Sequence, residues 1–409
     1  MKTETILLHT PYPQSDAYGA LNIPVYQTAA FEFDSAEAME RAFTGQTTDP
    51  VYSRISNPTV RHFEDRVKAI TGAAEAIAFN SGMAAITNTL LAVASAGSNI
   101  VTSPHLFGNT YSLLAFTLKS FGVEARFCDL TDLEEVEKQV DEHTCALFLE
   151  IITNPQLEVA DLKGLSRICS KHGVPLIADT TIVPFTEFPA RDFGVDIEVV
   201  STTKYVSGGA STLGGVVIDY NTFDWNASPK LSVLSGQSGA SAFTGKMRKE
   251  IHRNTGACMT AQTAFSQIQG LETVSLRYRR ASGTCLELAG GLQGLKGIVS
   301  VHYPGLIDNP FYELSKAQFG ETPGAMFTFD LESKEACYRF MNRLNLIRRA
   351  TNLFDNKSLA IHPASTIFGP FTAEVRRQMD VRDTTIRISV GLEDSEDLFR
   401  DIEQALREL

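Results

Sequence analysis

The stretch IEVVSTTK at residues 197–204 is an apolar run that ends in three hydroxyl side chains and a lysine. The stretch VPLIADTT at 174–181 has the same form, since its apolar part ends at Asp179. Apolar runs that end in polar groups are typical of buried parallel strands, whose carboxyl ends face a ligand crevice. These two stretches therefore predict an α/β fold with a polar site at one edge of its sheet.

Similar apolar runs extend this pattern along the chain. Predicted strands lie at 76–79, 99–102, 123–127, 146–151, 174–178, 197–200 and 215–218. Helical patterns lie between them at 84–95, 113–121, 133–140 and 162–172. This alternation predicts a mostly parallel sheet that is covered by helices on both faces.

The length of 409 residues predicts more than one domain. Residues 1–60 show little periodicity and predict an extended N-terminal arm, which we expect to pack on a neighbouring subunit. Residues 61–256 are expected to form the large α/β domain, with a loop region at 222–256. Residues 257–409 are expected to contain a linker helix and a smaller α+β C-terminal domain. The predicted elements of this last part are helices at 259–292, 334–344 and 395–406 and strands at 299–302, 325–330 and 385–390.

Composition excludes several classes of protein. A net charge of −12 gives no basic footprint for nucleic acid. No signal-peptide pattern and no run of roughly 18 apolar residues occurs, so we expect no membrane partner and a cytoplasmic location. The six cysteines form no CxxC pair, which predicts reduced, mostly buried thiols. HExxH and GxGxxG are absent, so we expect no metal site and no dinucleotide-binding motif.

Three polar segments follow predicted strands and together describe one site. Taken alone, Asp179 would more often be a turn or capping residue, and Lys204 a solvated surface lysine. Ser81-Gly82-Met83 precedes a helix, where backbone N–H groups bind anions. A phosphate cradle, an amine and a carboxylate at strand ends are what pyridoxal 5'-phosphate (PLP) requires.

The chain resembles the Cys/Met-metabolism family of PLP enzymes in six segments that fall in order from residue 52 to 393. That family includes cystathionine synthases and lyases, methionine γ-lyase and O-acetylhomoserine sulfhydrylase. The resemblance implies a PLP-dependent transferase of fold type I, with PLP as the cofactor. The segments are YSRISNPT at 52–59, SGMAAI at 81–86, DTT at 179–181, STTKY at 201–205, HPAS at 362–365 and RISVGLE at 387–393.

The resemblance also implies roles for individual residues. Lys204 would form the Schiff base and shuttle protons, and Asp179 would pair with the pyridinium nitrogen. Tyr52, which is also a candidate catalytic residue, and Arg54 would reach the phosphate from a neighbouring subunit, within a homotetramer built from two dimers. The remaining candidates bind cofactor through Ser81, Gly82, Met83, Phe107, Thr181, Ser201 and Thr203, and substrate through Asn154, Asn352 and Arg387.

Four departures from the family pattern bear on the activity. Phe107 stands where the stacking residue is usually tyrosine, and Thr180 stands where asparagine is usual. Asn109 occupies the position of a cysteine that is usual in methionine γ-lyases. Asn352-Leu353-Phe354 replaces the frequent Ser-Leu-Gly and resembles the sulfhydrylase branch.

The expected activity is γ-replacement on O-acetyl-L-homoserine by sulfide or a small thiol, which gives homocysteine and acetate. Methionine γ-lyase and cystathionine γ-synthase or lyase activities remain alternatives. Two alternatives of another class are a PLP-binding oligomer without turnover and an α/β binding protein without PLP.

Overall fold

A computed structural model describes residues 1–11, 18–234 and 242–407. Its larger sheet has seven strands in the order β1-β7-β6-β5-β4-β2-β3. β7 runs antiparallel to both of its neighbours, and the other pairings are parallel. The predicted mostly parallel sheet is confirmed. Its strands are β1 Glu75–Phe79, β2 Asn99–Thr102, β3 Glu124–Phe127, β4 Thr144–Glu150, β5 Leu176–Asp179, β6 Ile197–Val200 and β7 Gly215–Asp219.

Most strands of this sheet are buried on both faces, because their residues enter core clusters that lie on opposite faces. The edge strand β3 is only partly buried. In β1, Ile77 and Phe79 pack in the cluster that includes helix Gly82–Val93. Ala76 and Ala78 pack in the cluster that includes helix Pro58–Thr71 on the opposite face. The strands therefore end at an edge that lies between two helical layers.

The smaller sheet has five strands in the order β10-β11-β12-β9-β8. β10 is parallel to β11, and the other pairs are antiparallel. Phe329 and Ile386 of this sheet belong to the core cluster that also covers one face of the larger sheet. Its strands are β8 Ser300–His302, β9 Met326–Asp330, β10 Arg348–Arg349, β11 Leu359–Ile361 and β12 Thr385–Ser389.

Many helices begin where the sequence supplies a capping side chain. Asn57 accepts the N–H groups of Thr59 and Val60, and Ser333 accepts that of Ala336. The α-helices are Thr3–His9, Ala36–Phe43, Pro58–Thr71, Gly82–Val93, Gly108–Ser112, Leu133–Gln139, Leu162–His172, Ala242–Lys246, His252–Thr255, Ala261–Leu271, Val274–Leu292, Tyr312–Phe319, Lys334–Arg343, Ala373–Gln378 and Ser395–Leu406. Shorter 3₁₀ or π segments are Leu113–Thr117, Leu118–Phe121, Ala190–Phe193, Tyr205–Ser207, Trp225–Ala227, Met247–Ile251 and Pro363–Ser365.

Three sequence-based expectations about elements were wrong. The N-terminal arm is not uniformly extended, since it contains helices Thr3–His9 and Ala36–Phe43. Within the expected loop region 222–256, residues 242–255 are continuously helical, because Phe243 and Met247, four residues apart, are both fully buried. Residues 235–241 of that region lie outside the described residues. The expected single helix at 259–292 is two helices that are separated at 272–273.

Small strands β10 and β11 were missed because two or three residues carry no readable alternation. The proposed boundaries of the arm and of the two domains remain predictions.

Within the described ranges, no helix combines the length and apolarity needed to cross a membrane. The same ranges contain no group of three or more His, Cys, Asp or Glu residues placed to hold a metal ion. All six cysteines are unpaired, and five of them are buried.

Candidate active site

A cavity of about 580 Å³ opens at the carboxyl ends of the parallel strands, against the smaller sheet. Small-molecule and cofactor sites typically have roughly 300–1,000 Å³. Tyr52 and Arg54 are the only predicted site residues that do not line it. The predicted residues that do line it are Ser81, Gly82, Met83, Phe107, Asn154, Asp179, Thr181, Ser201, Thr203, Lys204, Asn352 and Arg387.

Lys204 reaches the centre of this cavity from the segment that follows β6. Its Nζ donates a hydrogen bond to Asn352 Oδ1 over 2.8 Å. Burial and the positive charge of Arg387 lower the pKa of Lys204 to about 8, against the opposing charge of Asp179. The neutral amine is the nucleophilic form, so this environment makes Lys204 more reactive toward a carbonyl than a surface lysine.

Asp179 and Glu150 end neighbouring strands and lie opposite each other in the register of β5 and β4. Burial raises the pKa of both carboxyl groups, and the Asp179 charge raises that of Glu150 further. Asp179 has the better compensation, because Thr181 N–H donates to its Oδ1 over 2.9 Å and Lys204 is near. Of the two, Glu150 is therefore the group that is more easily protonated, and Asp179 is the group better placed to face a cation.

Glu150 was not predicted from the sequence, although it ends β4 just as Asp179 ends β5. Its Oε1 accepts the N–H of Phe107 over 2.7 Å. The signal that identified Asp179, a carboxylate at the end of an apolar strand, was also available for Glu150. The contact links the end of β4 to the loop that carries Phe107 into the cavity.

The start of helix Gly82–Val93 has the geometry of an anion-binding site. Ser81 caps the helix, since its Oγ accepts Ala84 N–H over 3.1 Å and its carbonyl accepts Ala85 N–H over 3.1 Å. The N–H groups of Gly82 and Met83 have no partner within the helix and remain for a ligand. A Cβ at Gly82 would lie 2.6 Å from Ser201 Cβ, so glycine is required for this close approach.

Hydroxyl groups from two neighbouring strand ends complete this site. Thr181 Oγ1 accepts the N–H of Ser201 over 2.9 Å, which fixes the two strand ends relative to each other. Thr203 Oγ1 accepts the N–H of Gly214 over 3.0 Å and also lines the cavity. Short hydroxyl side chains beside a helix start are suited to a phosphate group.

Arg387 lies on β12 at the opposite wall of the cavity and is 3% exposed. One terminal nitrogen donates to Asn154 Oδ1 and the other to the carbonyl of Asn352, each over 3.0 Å. Its Nε is buried, and no acceptor for it lies among the described residues. Burial lowers the pKa of Arg387 to about 9. A buried guanidinium without a counter-ion is a site for an anion such as a carboxylate.

Tyr52 and Arg54 lie outside the cavity of their own chain. Tyr52 is 41% exposed, and the Arg54 guanidinium carbon lies 5.5 Å from the centre of its ring. One Arg54 nitrogen donates to the carbonyl of Arg253 over 2.7 Å. Both side chains are thus held at the surface, where a second chain could meet them.

Glu198 is a buried acid on the face of the sheet opposite Asp179, and it binds Thr180 at the end of β5 through a hydrogen bond. Glu198 is fully buried on β6 and pairs with Ala178 in register, so it faces away from Asp179. It accepts hydrogen bonds from the hydroxyl of Thr180 and, over 2.5 Å, from that of Tyr220. Burial raises the pKa of Glu198 to about 7. Thr180, one of the departures from the family pattern, is therefore a structural hydrogen-bond donor.

Comparison with known proteins identifies the family. The family described as Cys/Met metabolism PLP-dependent enzyme matches residues 4–407. The chain therefore belongs to the Cys/Met metabolism PLP-dependent enzymes, and PLP is its cofactor. This confirms the resemblance and the cofactor expected from the sequence.

Individual relatives cover almost the whole chain. O-acetyl-L-homoserine sulfhydrylase of Corynebacterium glutamicum is 34% identical over 98% of this chain and 95% of its own. L-methionine gamma-lyase of Pseudomonas putida is 34% identical over 98% and 96%. A crystal structure from Campylobacter jejuni, provisionally identified as an O-acetylhomoserine (thiol)-lyase, contains a pyridoxyl-lysine monophosphate. It superposes with a TM-score of 0.93 at 32% identity and covers both chains completely.

A second solved structure is more similar in sequence. O-acetylhomoserine sulfhydrylase of Wolinella succinogenes is 46% identical, with a TM-score of 0.78, and covers 86% of this chain and 96% of its own. Relatives named as a sulfhydrylase and as a methionine gamma-lyase are therefore equally similar to this chain in sequence, at 34% identity each. The family match establishes PLP-dependent chemistry. The side chains of the cavity decide on which substrate that chemistry acts.

Proposed function

We propose that this protein catalyses γ-replacement on O-acetyl-L-homoserine, in which sulfide or a small thiol displaces acetate to give homocysteine or its thioether. The observation that carries the proposal is the junction at Asn352. Its side chain accepts from the amine of Lys204, and its carbonyl accepts from the guanidinium of Arg387. The amine of Lys204, which can react with a carbonyl, and the guanidinium of Arg387, which can bind a carboxylate, thus both contact Asn352. An α-amino-acid substrate requires two such sites close together.

The cavity residues fit PLP, which would supply an electron sink for the substrate Cα when bound. Gly82, Met83, Ser201 and Thr203 would hold its phosphate, with Ser81 and Thr181 supporting them. Phe107 would stack on its ring, and the Asp179 carboxylate would keep a proton on its ring nitrogen. The close approach of helix and strand at Gly82 and the hydrogen bond that Asp179 receives from Thr181 N–H support these roles.

Lys204 would hold the cofactor covalently and then move protons for the substrate. Its lowered pKa leaves a larger neutral fraction of Nζ, which would accept protons from the substrate Cα and then from Cβ. Acetate would leave from Cγ, the sulfur nucleophile would add there, and protons would return to Cβ and Cα. Arg387 would bind the α-carboxylate with its unpartnered Nε, and Asn154 and Asn352 would orient that guanidinium. Phe107 has no hydroxyl, so proton transfer falls to Lys204 and to a Tyr52 from a second chain.

The positions of Tyr52 and Arg54 support a shared active site. We propose that they reach the phosphate of a neighbouring chain, within a dimer that pairs into a homotetramer. The exposed Tyr52 ring and the Arg54 guanidinium that lies over it are held outside their own cavity. A cytoplasmic location is proposed on the six unpaired cysteines.

Methionine γ-lyase is the second candidate function, because the relative of that name from Pseudomonas putida is as similar as the sulfhydrylase from Corynebacterium glutamicum. Asn109 lies on the cavity wall, where a carboxamide cannot supply the thiol that is usual in those lyases. Asn109 in the position of that cysteine therefore favours γ-replacement over the elimination of a thiol.

The decisive experiment is a substrate panel with the PLP-loaded protein. We expect homocysteine from O-acetyl-L-homoserine with sulfide, and no comparable product from O-succinyl-L-homoserine with cysteine or from methionine alone. Rapid release of methanethiol from methionine would contradict the proposal. The Lys204→Ala variant is expected to lose the visible absorbance that borohydride bleaches in the wild-type protein, and a colourless wild-type protein that takes up no PLP would refute the role of the site.

A further inference from the structure

Phe354 has a backbone conformation that is unusual for its residue type. Its φ is 56°, in the left-handed region that favours glycine, and its side chain is 2% exposed. A bulky residue in that region carries a cost in free energy, and it persists only where surrounding contacts determine it. The question is therefore which contacts hold Phe354 there and what they achieve.

Two contacts hold it, one through the ring and one through the backbone. The ring stacks on Tyr205 with centroids 4.1 Å apart and planes 9° from parallel. The N–H of Phe354 donates to Ser389 Oγ over 2.7 Å. Tyr205 is itself fixed, because its hydroxyl accepts the N–H of Ala325 over 3.0 Å and its ring meets the edge of Tyr278 at 5.3 Å.

Each of these anchors is next to a residue of the active site. Tyr205 directly follows Lys204 in the chain. Ser389 lies two residues after Arg387 on β12, so both side chains are on the same face of that strand. Phe354 therefore contacts the residue after Lys204 and the strand that carries Arg387. The first residue of the same segment, Asn352, contacts Lys204 and Arg387 themselves.

Asn352 makes the other pair of contacts. Its Oδ1 accepts from Lys204 Nζ over 2.8 Å, and its carbonyl accepts from Arg387 over 3.0 Å. For both contacts to form, the carbonyl and the side chain of one residue must point toward two different walls of the cavity. The backbone of segment 352–354 decides whether they can.

We propose that Phe354 is a positioning residue for the substrate-carboxylate site. Its ring, stacked on Tyr205, holds segment 352–354 in the conformation that directs Asn352 to both Lys204 and Arg387, and so sets the affinity for the α-carboxylate. The inference rests on the proposed function only in that the substrate is an α-amino acid. The leaving group and the sulfur nucleophile do not enter it.

Two variants separate the ring from the strain. Phe354→Leu keeps a large side chain at the same φ but removes the stack, whereas Phe354→Gly removes both the ring and the strain. Tyr205→Leu removes the stack from the other side. The matched control is Phe340→Leu. Phe340 is fully buried on helix Lys334–Arg343, and its ring meets that of Phe329 of the smaller sheet edge to face at 5.4 Å. Neither residue lines the cavity.

The measurement is the dissociation constant of L-norvaline, followed by the change in visible absorbance of the PLP-loaded protein. L-norvaline has an α-carboxylate and an α-amine but no γ leaving group. We expect binding roughly ten- to a hundredfold weaker in the Phe354 and Tyr205 variants, with KM for sulfide unchanged in turnover assays. Phe340→Leu is expected to lower the melting temperature and to change norvaline affinity by less than about twofold.

Wild-type norvaline affinity in a Phe354 variant whose melting temperature has fallen would overturn the proposal, because the ring would then contribute to stability alone. If one variant does not fold, the remaining variants that retain visible colour decide the question. If the wild-type protein binds norvaline but makes no homocysteine from O-acetyl-L-homoserine, the proposed function fails and this proposal stands.

Discussion

Asp179 shows how one residue's surroundings define its role. It is half-buried at the end of β5, opposite Glu150, and it receives the N–H of Thr181, which stabilises a carboxylate that faces a ligand. Asparagine in its place would have the same shape without the charge. We therefore expect Asp179→Asn to bind PLP but to lose at least about a hundredfold in kcat, because the ring nitrogen would lose its counter-ion.

Steady-state kinetics and the visible spectrum of the variant test this prediction together. Asp192→Asn, an exposed carboxylate elsewhere on the same domain, is the control and should behave as the wild type. Turnover of Asp179→Asn within a few-fold of wild type would show that another group protonates the ring.

Glu198 leads to a prediction on pH dependence. Its pKa is near 7 in the folded protein and 4.5 ordinarily, so the fold binds its proton more tightly than the unfolded chain does. The resulting stabilisation is complete below pH 4.5 and is lost as the pH rises through 7. Glu198→Gln cannot ionise, so the variant should lose less stability than the wild type between about pH 5 and about pH 8.

The difference between the two proteins in this pH range is expected to be up to roughly 3 kcal/mol of unfolding free energy. Thermal or urea unfolding at several pH values measures it. Parallel pH profiles for the variant and the wild type would show that Glu198 ionises as freely in the fold as in the unfolded chain.

Glu64 connects three elements on the scale of secondary structure. From helix Pro58–Thr71 it accepts the N–H of Ala78 in β1 over 2.9 Å, and it pairs with Arg248 over 2.9 Å. Glu64 is 4% exposed, so its removal leaves the N–H of Ala78 without its acceptor and takes from Arg248 its nearest carboxylate. Arg248 keeps the carbonyl of Ala76 at 2.7 Å and Glu75 at 3.5 Å. We expect Glu64→Ala to lower the unfolding free energy by about 2–3 kcal/mol, because a strand N–H and one charge-assisted hydrogen bond are lost.

Urea unfolding followed by circular dichroism provides this measurement. The comparison variant is Glu403→Gln, which breaks a partly exposed ion pair with Arg407 at 2.9 Å. Such surface pairs contribute about 0–1 kcal/mol, so this variant should be close to wild type. Equal losses in the two variants would contradict the role assigned to Glu64.

For the whole molecule, the proposed sharing of active sites makes a quantitative prediction. Lys204→Ala disables a chain's own cavity, and Arg54→Ala disables the cavity of its neighbour. In a hybrid dimer of the two variants, one site carries both changes and the other carries none. Random pairing of equal amounts should therefore restore about a quarter of wild-type activity from two inactive proteins.

Co-expression of the two variants with different purification tags tests this. Each variant purified alone should be inactive. A hybrid preparation that is also inactive would mean that Arg54 acts within its own chain, and it would contradict a shared active site.

The sequence by itself determined the class of fold and most of the cavity. Strands such as 197–200 were predictable because they are continuous apolar runs, and Asp179 and Lys204 because each follows such a run. The segment resemblances identified the family and its cofactor. These signals are local, since each depends on a few neighbouring residues.

Only the tertiary structure decided which distant residues meet. The hydrogen bond of Asn352 to Lys204 joins residues 148 positions apart, and the stack of Phe354 on Tyr205 spans a similar separation. Arg387, which meets the same Asn352, lies 35 positions further along the chain. No local pattern encodes such contacts. Likewise, the role of Thr180 became clear only when β6 placed Glu198 beside it. Distant parts of the chain bury Lys204 and Glu198, and this burial shifts their pKa values. Distant contacts also hold Phe354 at its positive φ. Both effects are properties of the folded molecule as a whole.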